Sequence, residues 1–86
     1  MRVEVDSHAL KHGLTEPEIR YAWENYLRKQ RRSAPDEDRI IAIGATPDGS
    51  IVQMVAVVGD AGALIYHAMK PPTKGFLREL GLERRR

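Results

Sequence analysis

Val3 and Val5 alternate with Arg2 and Glu4, the two-residue period of a short strand with one buried face. Asp6 and Ser7 are good N-cap types, and His8 to His12 can form a short helical segment that ends at Gly13. Thr15-Glu16-Pro17-Glu18 spells a capping box, with proline tolerated in the first turn. Leu14 stands at the staple position and Ile19 at its partner. Ile19, Ala22, Trp23, Tyr26 and Leu27 then form one apolar stripe at helical spacing, which predicts a helix of roughly three to four turns. Arg20, Glu24 and Arg28 line its opposite side. Lys29 to Asp38 has no period and reads as a loop.

From Arg39 the period becomes that of strands. Ile40 to Ile43 is a run rich in β-branched residues, and Thr46-Pro47-Asp48-Gly49 is a turn. Ile51 to Val58 is nearly all apolar, as befits a central strand. Gly59 to Gly62 turns the chain into a third strand, Ala63 to Ala68, and tight connections make these strands antiparallel neighbours. Pro71-Pro72 ends the sheet, since neither can donate to a ladder. Thr73 caps a last helix over Lys74 to Leu80, with Phe76, Leu77 and Leu80 as its apolar face. The prediction is an α+β fold in the order β-α-α-β-β-β-α. A three- to four-stranded antiparallel sheet is packed by helices on one face.

Composition adds bounds. The chain has 86 residues, enough for one domain with a thin core, expected over 1–82 with a basic tail at 83–86. A hydrophobic share of 42% excludes a disordered chain. No apolar run approaches the roughly 20 residues of a membrane span, and the first residues carry no expected signal peptide. The absence of cysteine suits a reducing cytoplasm. The net charge of +2 is uneven: Arg28, Lys29, Arg31 and Arg32 form one basic cluster and Arg84 to Arg86 another, with Asp36, Glu37 and Asp38 between them. Such patches suit phosphate backbones, or are simply solvated faces.

Three histidines are the candidates for proton transfer. His8 and His12 are four apart, but no His-Glu-x-x-His pattern or third ligand makes them a metal site. His67, near the end of the last strand, is either a half-buried histidine bonded to backbone or a general acid or base. RNA cleavage through the 2′-hydroxyl needs a base, a proton donor and cations around the phosphate, with no cofactor. Lys11, His12, Arg20, Arg39, His67 and Lys70 include those residue types. A Gly-rich phosphate loop, a nucleophile elbow and a Cys/His zinc pattern are all missing.

Lys11-His12-Gly13-Leu14-Thr15-Glu16 resembles the Lys-His-Gly-hydrophobic-Ser/Thr-x-Glu entry to the main helix of BrnT-like toxins. Arg39-Ile40-Ile41-Ala42-Ile43-Gly44, followed by Asp48-Gly49, resembles that family's Arg-x-x-x-Ile-Gly…Asp/Asn-Gly hairpin. Ile65-Tyr66-His67-Ala68-Met69-Lys70 stands where the family has Ile-Ile-Ser-Ala-Arg-x, and is similar to a strand of small actinobacterial proteins. The resemblance covers about Val3 to Leu80. It departs at Val5-Asp6, which replaces an aromatic-Trp-Asp start. It departs again at His67 in place of serine, and at Met69 in place of arginine with Lys70 one position later.

The resemblance implies a RelE-like fold, metal-independent cleavage of RNA, a bacterial cytoplasm, and a cognate antitoxin protein that covers the active surface. His67, Lys70 and Arg39 are the expected catalytic residues. Lys11, His12, Arg20, Arg28, Lys29, Arg31 and Arg32 are the expected RNA contacts. Two further readings stay open: an inactive relative that binds a partner protein or pairs as a homodimer, and a non-catalytic nucleic-acid binder.

Overall fold

The capping box forms as its spacing requires. In a computed structural model of the protein, which describes residues 2–82, the Thr15 hydroxyl accepts the Glu18 amide and the Glu18 carboxylate accepts the Thr15 amide. They start α1, Glu16–Glu24, whose buried face is Ile19, Ala22 and Trp23. Before it come strand β1, Val3–Val5, and one short 3-10 helix, Ser7–Leu10. After it come β2 (Tyr26–Arg31), β3 (Arg39–Ala45), β4 (Ile51–Gly59), β5 (Gly62–Met69) and α2 (Lys74–Glu79). No helix among the described residues is long and apolar enough to cross a membrane.

The five strands form one sheet in the order β1-β5-β4-β3-β2. Neighbours are antiparallel except β1, which runs parallel to β5 with Val3 opposite Ala63 and Val5 opposite Ile65. Alternation along the strands produces a core on each face. On one side, Ala42, Val52, Met54, Ala56, Ala63 and Ile65 pack under α1 and the 3-10 helix through Ala9, Ile19, Ala22 and Trp23. On the other, Ile41, Ile43 and Val55 pack under α2 through Phe76 and Leu80. Gly44 allows the closest approach in the first layer: a Cβ there would lie 2.0 Å from the Ala22 carbonyl oxygen.

This corrects the expected architecture, including its RelE-like, β-α-α-β-β-β-α form. The sheet has five strands and is mixed, not three to four and antiparallel. The α-helices lie on opposite faces, not on one, and the first expected helix is a single 3-10 segment. The apolar stripe through Tyr26 and Leu27 also misleads. The chain leaves the helix at Asn25, whose side-chain and main-chain N–H groups both donate to the Tyr21 carbonyl. Tyr26 and Leu27 are 51% and 61% exposed and begin an edge strand where a helix end and a loop were expected. Pairing with β3 satisfies backbone groups that a frayed helix end would leave to water, so tertiary context overrides the local period. The basic tail expected at 83–86 lies outside the described residues.

Candidate functional site

A bulge in β5 builds the site. Val55 pairs with His67, but the next residue of β4, Ala56, pairs with Ile65. Tyr66 is therefore the extra residue, and it packs into the same core layer as Val55 and Phe76. A bulge of this kind re-aims side chains near functional sites. Here Tyr66 and His67 both turn to the α2 side of the sheet.

The opposite flank of His67 is shaped by the shortness of β1. Pairing with β5 ends at Val5, with the Asp6 amide donating to the Ile65 carbonyl at 2.8 Å. The chain then turns through the 3-10 helix and brings His12 beside the next stretch of β5. The His12 and His67 rings meet edge to face, with centroids 5.8 Å apart and planes at 73°. His12 is exposed and His67 half-buried.

His67 is held from within the sheet. Its Nε2 lies 2.9 Å from Nε2 of Gln53, a residue only 5% exposed on β4. The Gln53 Oε1 accepts the main-chain N–H of Thr73 at 2.8 Å. Thr73 is in turn the N-cap of α2, its hydroxyl accepting the Phe76 amide. Burial pushes the His67 pKa down, and the nearby His12, Arg32 and Lys11 push the same way. The imidazole thus sits in a positive field that disfavours its own protonation and favours an anion beside it.

The expected site residues divide into groups. Lys11 and His12 accompany His67. Arg39 does not reach it directly: its Nε donates to the Tyr66 hydroxyl at 3.2 Å, its Nη1 pairs with Asp38 at 2.6 Å, and its guanidinium stands 5.6 Å from the Tyr66 ring centre. Lys70 follows the far end of β5, beyond Met69 and Gln53, whereas Arg39 pairs with Val57 at the other end of β4. Lys70 lies instead near the turn of Asp48, whose carboxyl is drawn down to about 2 chiefly by the Thr46 hydroxyl and Ser50. His8 lies in the 3-10 helix and His12 beyond it, so they do not share a helix face.

The remaining cations are engaged in structure. Arg20 pairs with Glu16 and donates to the Val3 carbonyl, tying α1 to β1. Arg28 and Gln30 of β2, and Arg32 just past its end, fall at alternate positions and grip the end of α2. Arg28 donates to the Leu80 carbonyl, Gln30 to that of Glu79, and Arg32 to the Glu79 carboxylate. Cations there also suit the negative end of a helix. Lys29 Nζ lies 4.0 Å from the Trp23 ring centre and 4.2 Å from that of Tyr26, and its burial lowers its pKa. Arg31 donates to the Glu37 carbonyl.

Gln53 and Tyr66 were not expected at the site from sequence, and Thr73 was expected only as the cap of the last helix. Gln53 had a signal, as the one polar side chain in the run Ile51 to Val58; the other two had none beyond turn and cap chemistry. Among the described residues, no three His, Asp or Glu side chains converge as metal ligands. An open groove of about 580 Å³ lies elsewhere, along β1 and the β4–β5 turn, lined by Arg2, Glu4, Val57, Asp60 and Leu64 among others. The chain matches no protein-family model, no curated protein and no solved structure.

Proposed function

We propose that this protein is a metal-independent ribonuclease of the toxin type, with His12 and His67 as its reacting pair and RNA as its substrate. The observation that carries the reading is the meeting of those two rings, 5.8 Å apart, beside the part of β5 that β1 leaves uncovered. In such cleavage the RNA 2′-oxygen bonds to phosphorus, the bond to the 5′-oxygen breaks, and one proton passes from the 2′-hydroxyl to the leaving oxygen. Exposed His12 is the residue to take and return that proton. His67 and Lys11 would stabilise the charge on the phosphate. A neutralising antitoxin that covers this flank belongs to the same proposal and rests on the BrnT-like resemblance of Lys11 to Glu16.

The test is cleavage of a defined RNA with chelator present, by the native chain and by the His12→Ala and His67→Ala variants. Cleavage that falls at least a hundredfold in His12→Ala supports the reading, since proton transfer contributes about 10²–10⁴ in rate. Intact RNA with the native chain, or variants that both cleave as fast as the native chain, overturns it.

A second reading, an inactive module that binds a partner protein, draws on the β2 edge. There Tyr26 and Leu27 are largely exposed beside a backbone that has β3 on one side only. Stable complex formation that Leu27→Asp abolishes, with no RNA cleavage, would favour it.

A further inference from the structure

Gln53 is a buried amide in an otherwise apolar strand. A buried amide must find partners for both its ends, and the identity of those partners fixes which way it points. A main-chain N–H can only donate. The Thr73 N–H at 2.8 Å therefore requires the oxygen end of Gln53, and Thr73 is itself held as the cap of α2. That leaves the NH2 end facing Nε2 of His67 at 2.9 Å. An amide NH2 likewise only donates. His67 Nε2 must then accept, which it does only when it carries no proton.

We propose that Gln53 is a positioning residue that locks His67 as the neutral imidazole with its single proton on Nδ1. The chain of donors runs one way, from the Thr73 amide through Gln53 to His67, and ends on a lone pair. A second proton on His67 would set N–H against N–H at this contact. His12 and Lys11 from the segment after the 3-10 helix, and Arg32 from just past β2, oppose that charge from outside; among the described residues, no carboxylate is one of the groups acting on the ring. Tyr66, the neighbour in the bulge, has its hydroxyl occupied by Arg39. The lock thus presents a fixed N–H donor on the side of the ring turned away from Gln53. Resting on the nuclease reading, this assigns His67 the task of hydrogen-bonding a phosphate oxygen and leaves the travelling proton to His12.

The lock is tested on the full chain without RNA, by ¹⁵N spectra of the histidine rings across a pH series. At pH 7 the expected His67 pattern is a protonated Nδ1 and an unprotonated Nε2. In Gln53→Glu the carboxylate accepts from both neighbours, so Nε2 gains the proton and the titration midpoint rises by at least one pH unit. In Gln53→Met, which buries no charge and serves where Gln53→Glu does not fold, the two neutral tautomers should mix. A native His67 protonated on Nε2 overturns the proposal, as does a tautomer and midpoint unmoved in the folded variants. Because the readout needs no RNA, a locked His67 in a protein that cuts no RNA sinks the nuclease reading alone.

Discussion

Arg28 donates to the Leu80 carbonyl at 3.1 Å, joining an edge strand to the end of a helix 52 positions later. With Gln30 and Arg32 it makes β2 a clamp for α2. Replacing Arg28 and Arg32 together by Ala should lower stability by about 1–2 kcal/mol, because a partly buried hydrogen bond and a half-exposed ion pair are each worth about 0.5–1. Urea unfolding measures the loss. Hydrogen exchange should quicken first at the amides of Phe76 to Leu80; an unchanged midpoint and unchanged exchange would refute the clamp.

Gly44→Ala should destabilise the protein by about 2–4 kcal/mol, within the range for severe overpacking. The added carbon meets the Ala22 main chain, which cannot rotate aside as a side chain would. Thermal unfolding and the Trp23 emission of the variant check this. Gly59→Ala, where a Cβ meets nothing within 4 Å, is the control and should change stability far less.

The lowered pKa of His67 links stability to pH. The unfolded histidine takes up a proton near 6.5, while the folded one resists until lower pH. Between those two values the unfolded chain binds more protons. Stability is therefore fully present above 6.5 and declines as pH falls through that window, levelling once the folded ring is charged. Urea midpoints measured at a series of pH values should slope this way, and His67→Gln should flatten the slope.

Asp48 should titrate near pH 2, well below the usual 3.8. The Thr46 hydroxyl and the Ser50 amide donate to its carboxylate and favour the charged form. Thr46→Val removes one donor and should bring the midpoint back up. A ¹³C titration of the carboxyl reads it directly.

What was legible in the sequence was what short spacing determines. Thr15 with Glu18, Thr73 with Phe76, and the turn at Thr46 to Gly49 need only local chemistry, and each forms. The strand Tyr26–Arg31 was hidden because the side chains it turns toward α2 are Arg28 and Gln30 in place of apolar ones, so no hydrophobic alternation marks it. The parallel pairing of Val3 with Ala63 has no local trace at all. Of the site, the residue types were readable and the grouping was not. His12 and His67 are joined by a bulge and by the early end of β1, and Arg39 and Lys70 are set at opposite ends of the strands by a register that composition does not reveal.

The parallel docking of β1 has a consequence for biosynthesis. Val3 leaves the ribosome about sixty residues before Ala63, its partner. The opening strand must wait as unpaired chain until the last strand of the sheet has emerged, so this ladder is among the long-range contacts that form slowly. The histidine pair depends on that late closure. A nascent chain whose last strand is not yet free therefore holds His12 without its partner, and any activity the two share waits on the closing of that ladder.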